Sequence, residues 1–227
     1  MRMINLIVGD IRFQIKYGFY FVYTVLTAIY IIILHTFPPS WREHAAVIMI
    51  FSDPTAMGLF FMGAIILLEK SQRVLNALAV SPVKVTEYII SKVVSLGLIS
   101  IVVAGLLSIS VKKENLLMVL LATAMTSTIF TLLGLIAGAK IASLNQFLIV
   151  TVPLEMICFA PAILYLFGYS PVFLRFYPIS LCMSLIAGKY EMVLISIAII
   201  FATIGILFFV AYRSTLKMWK SVGGVKL

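Results

Sequence analysis

The sequence predicts an all-α integral membrane protein with six spanning helices, and three observations carry that expectation. Of 227 residues, 63% are hydrophobic and 11% charged, against roughly 45–50% and about 25% in a soluble domain; mean hydropathy is +1.18. Six apolar runs, at 18–37, 45–68, 86–111, 115–139, 147–168 and 190–212, approach or exceed the roughly 20 residues that cross a bilayer as helix. Twelve of the 17 Lys and Arg fall on the side of the N-terminus: Arg2, Arg12, Lys16, Lys70, Arg73, Lys84, Lys92, Lys140, Arg213, Lys217, Lys220 and Lys226. Arg42, Lys112, Lys113, Arg175 and Lys189 fall on the other side. That bias places both termini in the cytoplasm. Continuous runs are unlike the alternating strands of a membrane barrel. The same composition excludes a soluble enzyme, a disordered chain and a DNA-binding domain, despite a net charge of +9.

The elements follow in order. In residues 1–17, Ile4, Ile7, Val8, Ile11 and Ile15 recur at the spacing of one helical face, with Asn5, Arg12 and Lys16 beside them. Such a segment is expected to lie in the membrane interface with its cations at the headgroups. Residues 18–227 form a single transmembrane domain. Its first run is too long for a signal peptide, and no small-x-small cleavage site follows it. The second carries Asp53 before Pro54. The most polar stretch, 69–85, comes next: Glu69, Lys70, Ser71, Gln72 and Arg73 with Val74 to Val80 predict a short amphipathic helix beneath the membrane. Ser81 is expected to cap the following helix, and Pro82 to occupy its first turn, where its missing N–H has no partner to lose.

The fourth run contains Gly134-x-x-x-Gly138, a spacing that favours close helix packing, within the chain or between copies. The fifth carries Glu155 after Pro153. An acid inside a span costs about 2.5 kcal/mol or more unless paired or neutral. Asp53 and Glu155 are therefore expected to contact a polar substrate pathway or to be held by structural hydrogen bonds, with Asp53 alternatively capping a kink at Pro54. Segment 169–189 is too apolar for an exposed loop and too short for two more spans. It predicts two half-length helices, broken near Pro178, dipping into the outer leaflet and returning; the alternative is an aromatic belt lying at the interface.

Catalytic chemistry is missing from the pattern. There is no G-x-x-x-x-G-K-[ST] phosphate loop and no H-E-x-x-H. Asp53 is the one aspartate inside a span, which excludes an aspartyl protease built from one chain. His35 and His44, near the outer ends of the first two spans, are expected to make interfacial hydrogen bonds rather than to hold metal or haem. Cys158 and Cys182 have apolar neighbours and are expected to be free, buried thiols. No catalytic residue, metal site or resident cofactor is expected.

The topology, and the series Glu69-x-x-x-Arg73, Leu78, Ser81-Pro82-Val83, Tyr88 and Lys92, resemble the membrane subunit of ABC-2 type transporters, the permeases of many bacterial exporters. In that family an acidic-basic cluster precedes an L-x-x-[ST]-P-V segment leading into the third span, and the segment contains a coupling helix that docks on an ATPase. The resemblance implies that Glu69, Lys70, Arg73, Leu78, Ser81 and Pro82 form the ATPase-coupling set. It also implies that ATP-Mg binds a separate ABC ATPase subunit, and that the permease pairs with a second copy or a sister permease in the cytoplasmic membrane, among lipids and without nucleic acid. The cargo implied is hydrophobic or amphiphilic: a drug, a peptide or a lipid-like molecule. Two other classes remain: an ion-coupled secondary carrier using Glu155 and Asp53, and a membrane scaffold that transports nothing.

Overall fold

Each apolar run becomes a helix. The computed structural model describes residues 2–169, 171–190 and 192–222; Ser170 of the expected outer segment, Glu191 of the sixth run and Lys226 of the cytoplasmic cations lie outside the described residues. The chain runs α1 (Arg2–Lys16), α2 (Phe19–Thr36), α3 (Pro39–Ala56), a π-helical segment (Met57–Phe61), α4 (Met62–Ser71), α5 (Val74–Val80), α6 (Val85–Ser110), α7 (Leu116–Lys140), α8 (Leu144–Leu166), α9 (Val172–Arg175), α10 (Pro178–Ala187) and α11 (Val193–Val222). There is no strand among the described residues. Among the described residues, six helical stretches are long and apolar enough to cross a membrane, with α3, the π segment and α4 acting as one rod over Pro39–Ser71. The protein is a multi-pass, all-α membrane protein.

Two of the expected spans are longer than their apolar runs. The second begins at Pro39 rather than at residue 45, because Pro39 at the helix start needs no N–H partner and Trp41, Arg42, Glu43 and His44 extend the helix without being buried. The last continues to Val222 rather than ending at residue 212. Its polar extension turns Thr215, Met218 and Trp219 inward and leaves Lys217 and Lys220 outside the core.

Helix α7 is the centre, packed against α6, α11, α10, α3, α4 and the π segment. Small residues make that possible. Gly134 and Gly138 lie against the second span of the same chain: a Cβ on Gly134 would collide with the Gly58 carbonyl oxygen and stand 2.9 Å from that of Leu59. Hence the small-residue stripe of α7 works within the chain. The π segment begins three residues after Pro54, whose missing N–H interrupts the helical hydrogen-bond ladder. Gly18, at φ +76°, turns the chain from α1 into α2 through backbone space that side chains rarely tolerate.

Helices α2, α8 and α11 are peripheral and leave Phe21, Ile149, Met156, Leu194 and Ile206 exposed, a surface suited to lipid tails. The segment after α8 forms one half-length helix rather than the two expected: α9 is a single turn of 4 residues, and α10, of 10 residues, starts with Pro178 in its first turn. Ile179 to Ile186 are all buried, among α3, α7, α8 and α11. At 1.5 Å per residue, α10 is about 15 Å long, half a bilayer core. A surface belt does not describe α10, although α9 does expose Val172 and Phe173.

Candidate functional site

Lys92 lies two turns into α6, where an ammonium must find opposite charge or stay costly. It finds two carboxylates. Its Nζ donates to Asp10 Oδ1 of α1 at 2.6 Å and to Glu69 Oε1 of α4. The Tyr88 hydroxyl donates to the second Glu69 oxygen at 2.6 Å. Lys92, Glu69 and Tyr88 are buried, and the Lys92 ammonium stands 5.1 Å from the Tyr88 ring centre. Trp219 of α11 closes the cluster edge-on against Tyr88, 5.5 Å between centroids. One buried charge group thus joins α1, α4 and α6, with α11 as its cover. Buried ion pairs add little stability over a hydrophobic replacement, but they tolerate few alternative arrangements.

Helix α1 is fastened to the same end at three further points. Gln14 donates to Ser95 of α6 at 3.0 Å, the Arg2 guanidinium donates to the Pro82 carbonyl at 2.8 Å, and Gln72 donates to the Tyr17 hydroxyl. The side of α1 turned to the bundle therefore carries Asp10, Phe13 and Gln14, while Ile4, Val8 and Ile15 are exposed. Arg2 bonds Pro82 and α11 packs on α5, so both described chain ends meet segment 69–85.

That segment differs from expectation. Glu69 and Lys70 are not on a helix beneath the membrane; they end the second span, and the chain breaks at Gln72–Arg73 before α5 begins. Arg73 takes a left-handed backbone, φ 56°, which costs a non-glycine residue roughly 1–2 kcal/mol. Lys70 caps α7: its ammonium donates to the carbonyls of Gly138 at 2.8 Å and Ile141 at 2.7 Å, satisfying acceptors that a helix end leaves free. Neither Glu69 nor Lys70 offers a free charge at the surface.

Helix α5 is anchored by fully buried Leu75 and half-buried Leu78. Arg73, Asn76, Ala77 and Val80 are exposed, Val80 to 84%. Ser81 does not cap α6. Helix α6 begins four residues later at Val85, and the Ser81 hydroxyl instead donates to the Leu78 carbonyl at 2.8 Å and accepts the Val83 N–H at 3.3 Å within the turn. Pro82 accordingly lies in the turn, and α6 starts at Val85, where the Glu87 carboxylate accepts the Lys84 N–H at 2.8 Å.

Asp53 and Glu155 are not brought together. Asp53 is buried with one carboxylate oxygen unpartnered, within electrostatic reach of Tyr23 and Tyr30 on α2. Glu155 is half-buried on α8, near Cys158, and makes no ion pair among the described residues. His35 bonds the Ile31 carbonyl at 2.8 Å and His44 stacks on Phe167. Both cysteines are free and buried.

Asp10, Gln14 and Trp219 are absent from the sequence expectations, in which Lys92 figures only among the cytoplasmic cations and in the family series. The available signal was Lys92 itself: a lysine seven residues inside a helix requires a counter-charge, and Asp10 interrupts the apolar pattern of α1.

Two comparisons with known proteins cover most of the chain. The model of the fluoroquinolones export permease protein family matches residues 1–220, a range that includes every member of the buried cluster. Two fluoroquinolones export permease proteins of Mycobacterium tuberculosis, from strains CDC 1551 / Oshkosh and ATCC 25618 / H37Rv, are each 26% identical over 165 residues, which cover 71% of this chain and 69% of theirs.

Proposed function

Because the chain belongs to the fluoroquinolones export permease protein family, we propose that it is the membrane-spanning subunit of an ATP-driven exporter whose ATP-Mg site lies on a separate ABC ATPase. The observation that carries this reading is the shape of the 69–85 segment: a helix with a buried foot at Leu75 and an exposed edge of Arg73, Asn76, Ala77 and Val80. The edge receives the ATPase on the cytoplasmic side. The foot, the strained turn at Arg73 and the Asp10–Lys92–Glu69 cluster transmit its movement to α1, α4 and α6 as one body. Of the six residues of the expected coupling set, Arg73 makes the contact, Leu78, Ser81 and Pro82 hold the helix in place, and Glu69 and Lys70 tie it to the bundle.

The exposed apolar face of α8, with half-buried Glu155 beside it, faces a second permease copy or a sister permease in the cell membrane. The cargo passing between them is hydrophobic or amphiphilic, with fluoroquinolone-like drugs as the first class to try. An ion-coupled carrier gains no support from the geometry, since Asp53 and Glu155 occupy separate surroundings.

Arg73→Glu tests the reading. It reverses an exposed charge that makes no ion pair among the described residues, so membrane insertion and melting should be unchanged. Like charge at a docking face costs several kcal/mol, so drug efflux from cells should fall by about tenfold or more, leaving any ATPase activity insensitive to drug. Normal efflux from the variant would reject the assignment of this edge.

A further inference from the structure

The end of the bundle opposite the Lys92 cluster holds a cavity of about 560 Å³, built where the first turn of α3, the α6–α7 turn and the end of α10 meet. Its size falls within the range of sites for small organic molecules. Three cations line it, Arg42, Lys112 and Lys113, with two carboxylates, Glu43 and Glu114. Lys113 is the unusual member. Its side chain is only 5% exposed, yet its sole ion pair among the described residues is a 3.5 Å contact with Glu43, which is itself 71% exposed. An ammonium has three hydrogens to donate, and one long contact leaves most of that capacity unused.

Arg42 repeats the pattern. Its Nη2 donates to the Phe37 carbonyl at 3.2 Å and the His35 carbonyl at 3.5 Å, while its buried Nε has no partner. The α6–α7 turn that carries Lys113 is strained: Lys112 (φ 52°) and Asn115 (φ 54°), on either side of Lys113, are two of the three described non-glycine residues with left-handed backbone. Strain of this kind persists where surrounding structure enforces it and gathers at ligand sites. Burial also pushes the Lys113 ammonium below the usual lysine range, a shift that Glu43 only partly offsets.

We propose that this cavity binds the anionic group, carboxylate or phosphate, of an amphiphile, with Lys113 and Arg42 as the donors and Glu43 as an internal competitor that an arriving anion displaces. The two sources of such a group are an acidic drug in transit and the headgroup of an acidic phospholipid. The drug source and the drug probe below rest on the exporter reading; the headgroup source does not.

The test uses the full chain in detergent and measures binding of three probes: norfloxacin, its methyl ester, which lacks the carboxylate, and phosphatidylglycerol. Lys113→Met should weaken at least one of the two anionic probes by about tenfold and leave the ester unaffected. Glu43→Gln should tighten the same probe. Dependence for norfloxacin identifies the site as one for cargo, and dependence for phosphatidylglycerol alone identifies it as a headgroup site; either supports an anion site. A purely structural Lys113–Glu43 pair would make both variants shift binding in the same direction. That result, or no loss of either anionic probe on Lys113→Met, or a loss as large for the ester as for the acid, or Glu43→Gln leaving both anionic probes unchanged or weakened, would overturn the proposal. Glu43→Gln keeps the test decisive should Lys113→Met fold poorly. Association with an ATPase is a separate readout at the other end of the bundle, so the failure of one proposal does not mimic failure of the other.

Discussion

Replacing Lys92 by methionine is expected to cost about 3–5 kcal/mol, the usual penalty for removing one partner of a buried ion pair. The side chain is 2% exposed and bridges Asp10 and Glu69, so its loss leaves two carboxylates facing each other at the joint of α1, α4 and α6. The triple change Lys92→Met, Glu69→Gln, Asp10→Asn removes all three charges together and should recover most of that loss. The measurement is the fraction of protein surviving as a monodisperse species after graded heating in detergent. A recovered triple variant that is well folded yet exports poorly would locate the value of the cluster in transmission rather than in stability. If Lys92→Met melts like the parent, the cluster does not hold this end together.

Gly134→Ala is expected to be as damaging with far less chemistry changed. The added Cβ would collide with the Gly58 carbonyl oxygen and lie 2.9 Å from Met62 Cβ; backbone on one side and a rigid helix on the other leave nothing flexible to yield. The cost should reach or exceed the ~1–3 kcal/mol of overpacked cores, seen as loss of folded protein in the membrane. Gly105→Ala is the control. The nearest atom there is Leu120 Cδ2 at 3.8 Å, an ordinary contact, and alanine favours helix by about 1 kcal/mol over glycine. Equal expression of the two variants would contradict the close approach of α7 to the second span.

The spans were legible because hydrocarbon imposes one solution on a long apolar run, and the α2, α6, α7 and α8 boundaries fall within a few residues of the expected ones. Where helices outrun their apolar stretch, hydropathy carries no signal: Pro39 in the first turn starts the one, and inward-facing Thr215, Met218 and Trp219 carry the other. Glu69, Arg73, Tyr88 and Lys92 were visible as a motif, but their geometry was not. A pattern in sequence does not say that Glu69 points inward to Lys92 while Arg73, four residues on, stays outside; the break at Gln72–Arg73 decides that. Asp10 was hidden by distance, 82 residues from Lys92, and by the apolar face of α1, which drew attention to the side turned away from the bundle. The cavity around Lys113 was illegible for the same reason, being assembled from three segments that are neighbours only in the fold.

In the proposed function the end carrying α5 receives a separate ATPase. Gentle purification of the tagged chain from its native membrane, with identification of what accompanies it, tests this most directly. The expected result is an ATP-binding subunit in fixed ratio, lost from Arg73→Glu and kept by Glu43→Gln. A preparation free of any ATPase after mild crosslinking, or an ATPase held equally by Arg73→Glu, would contradict it.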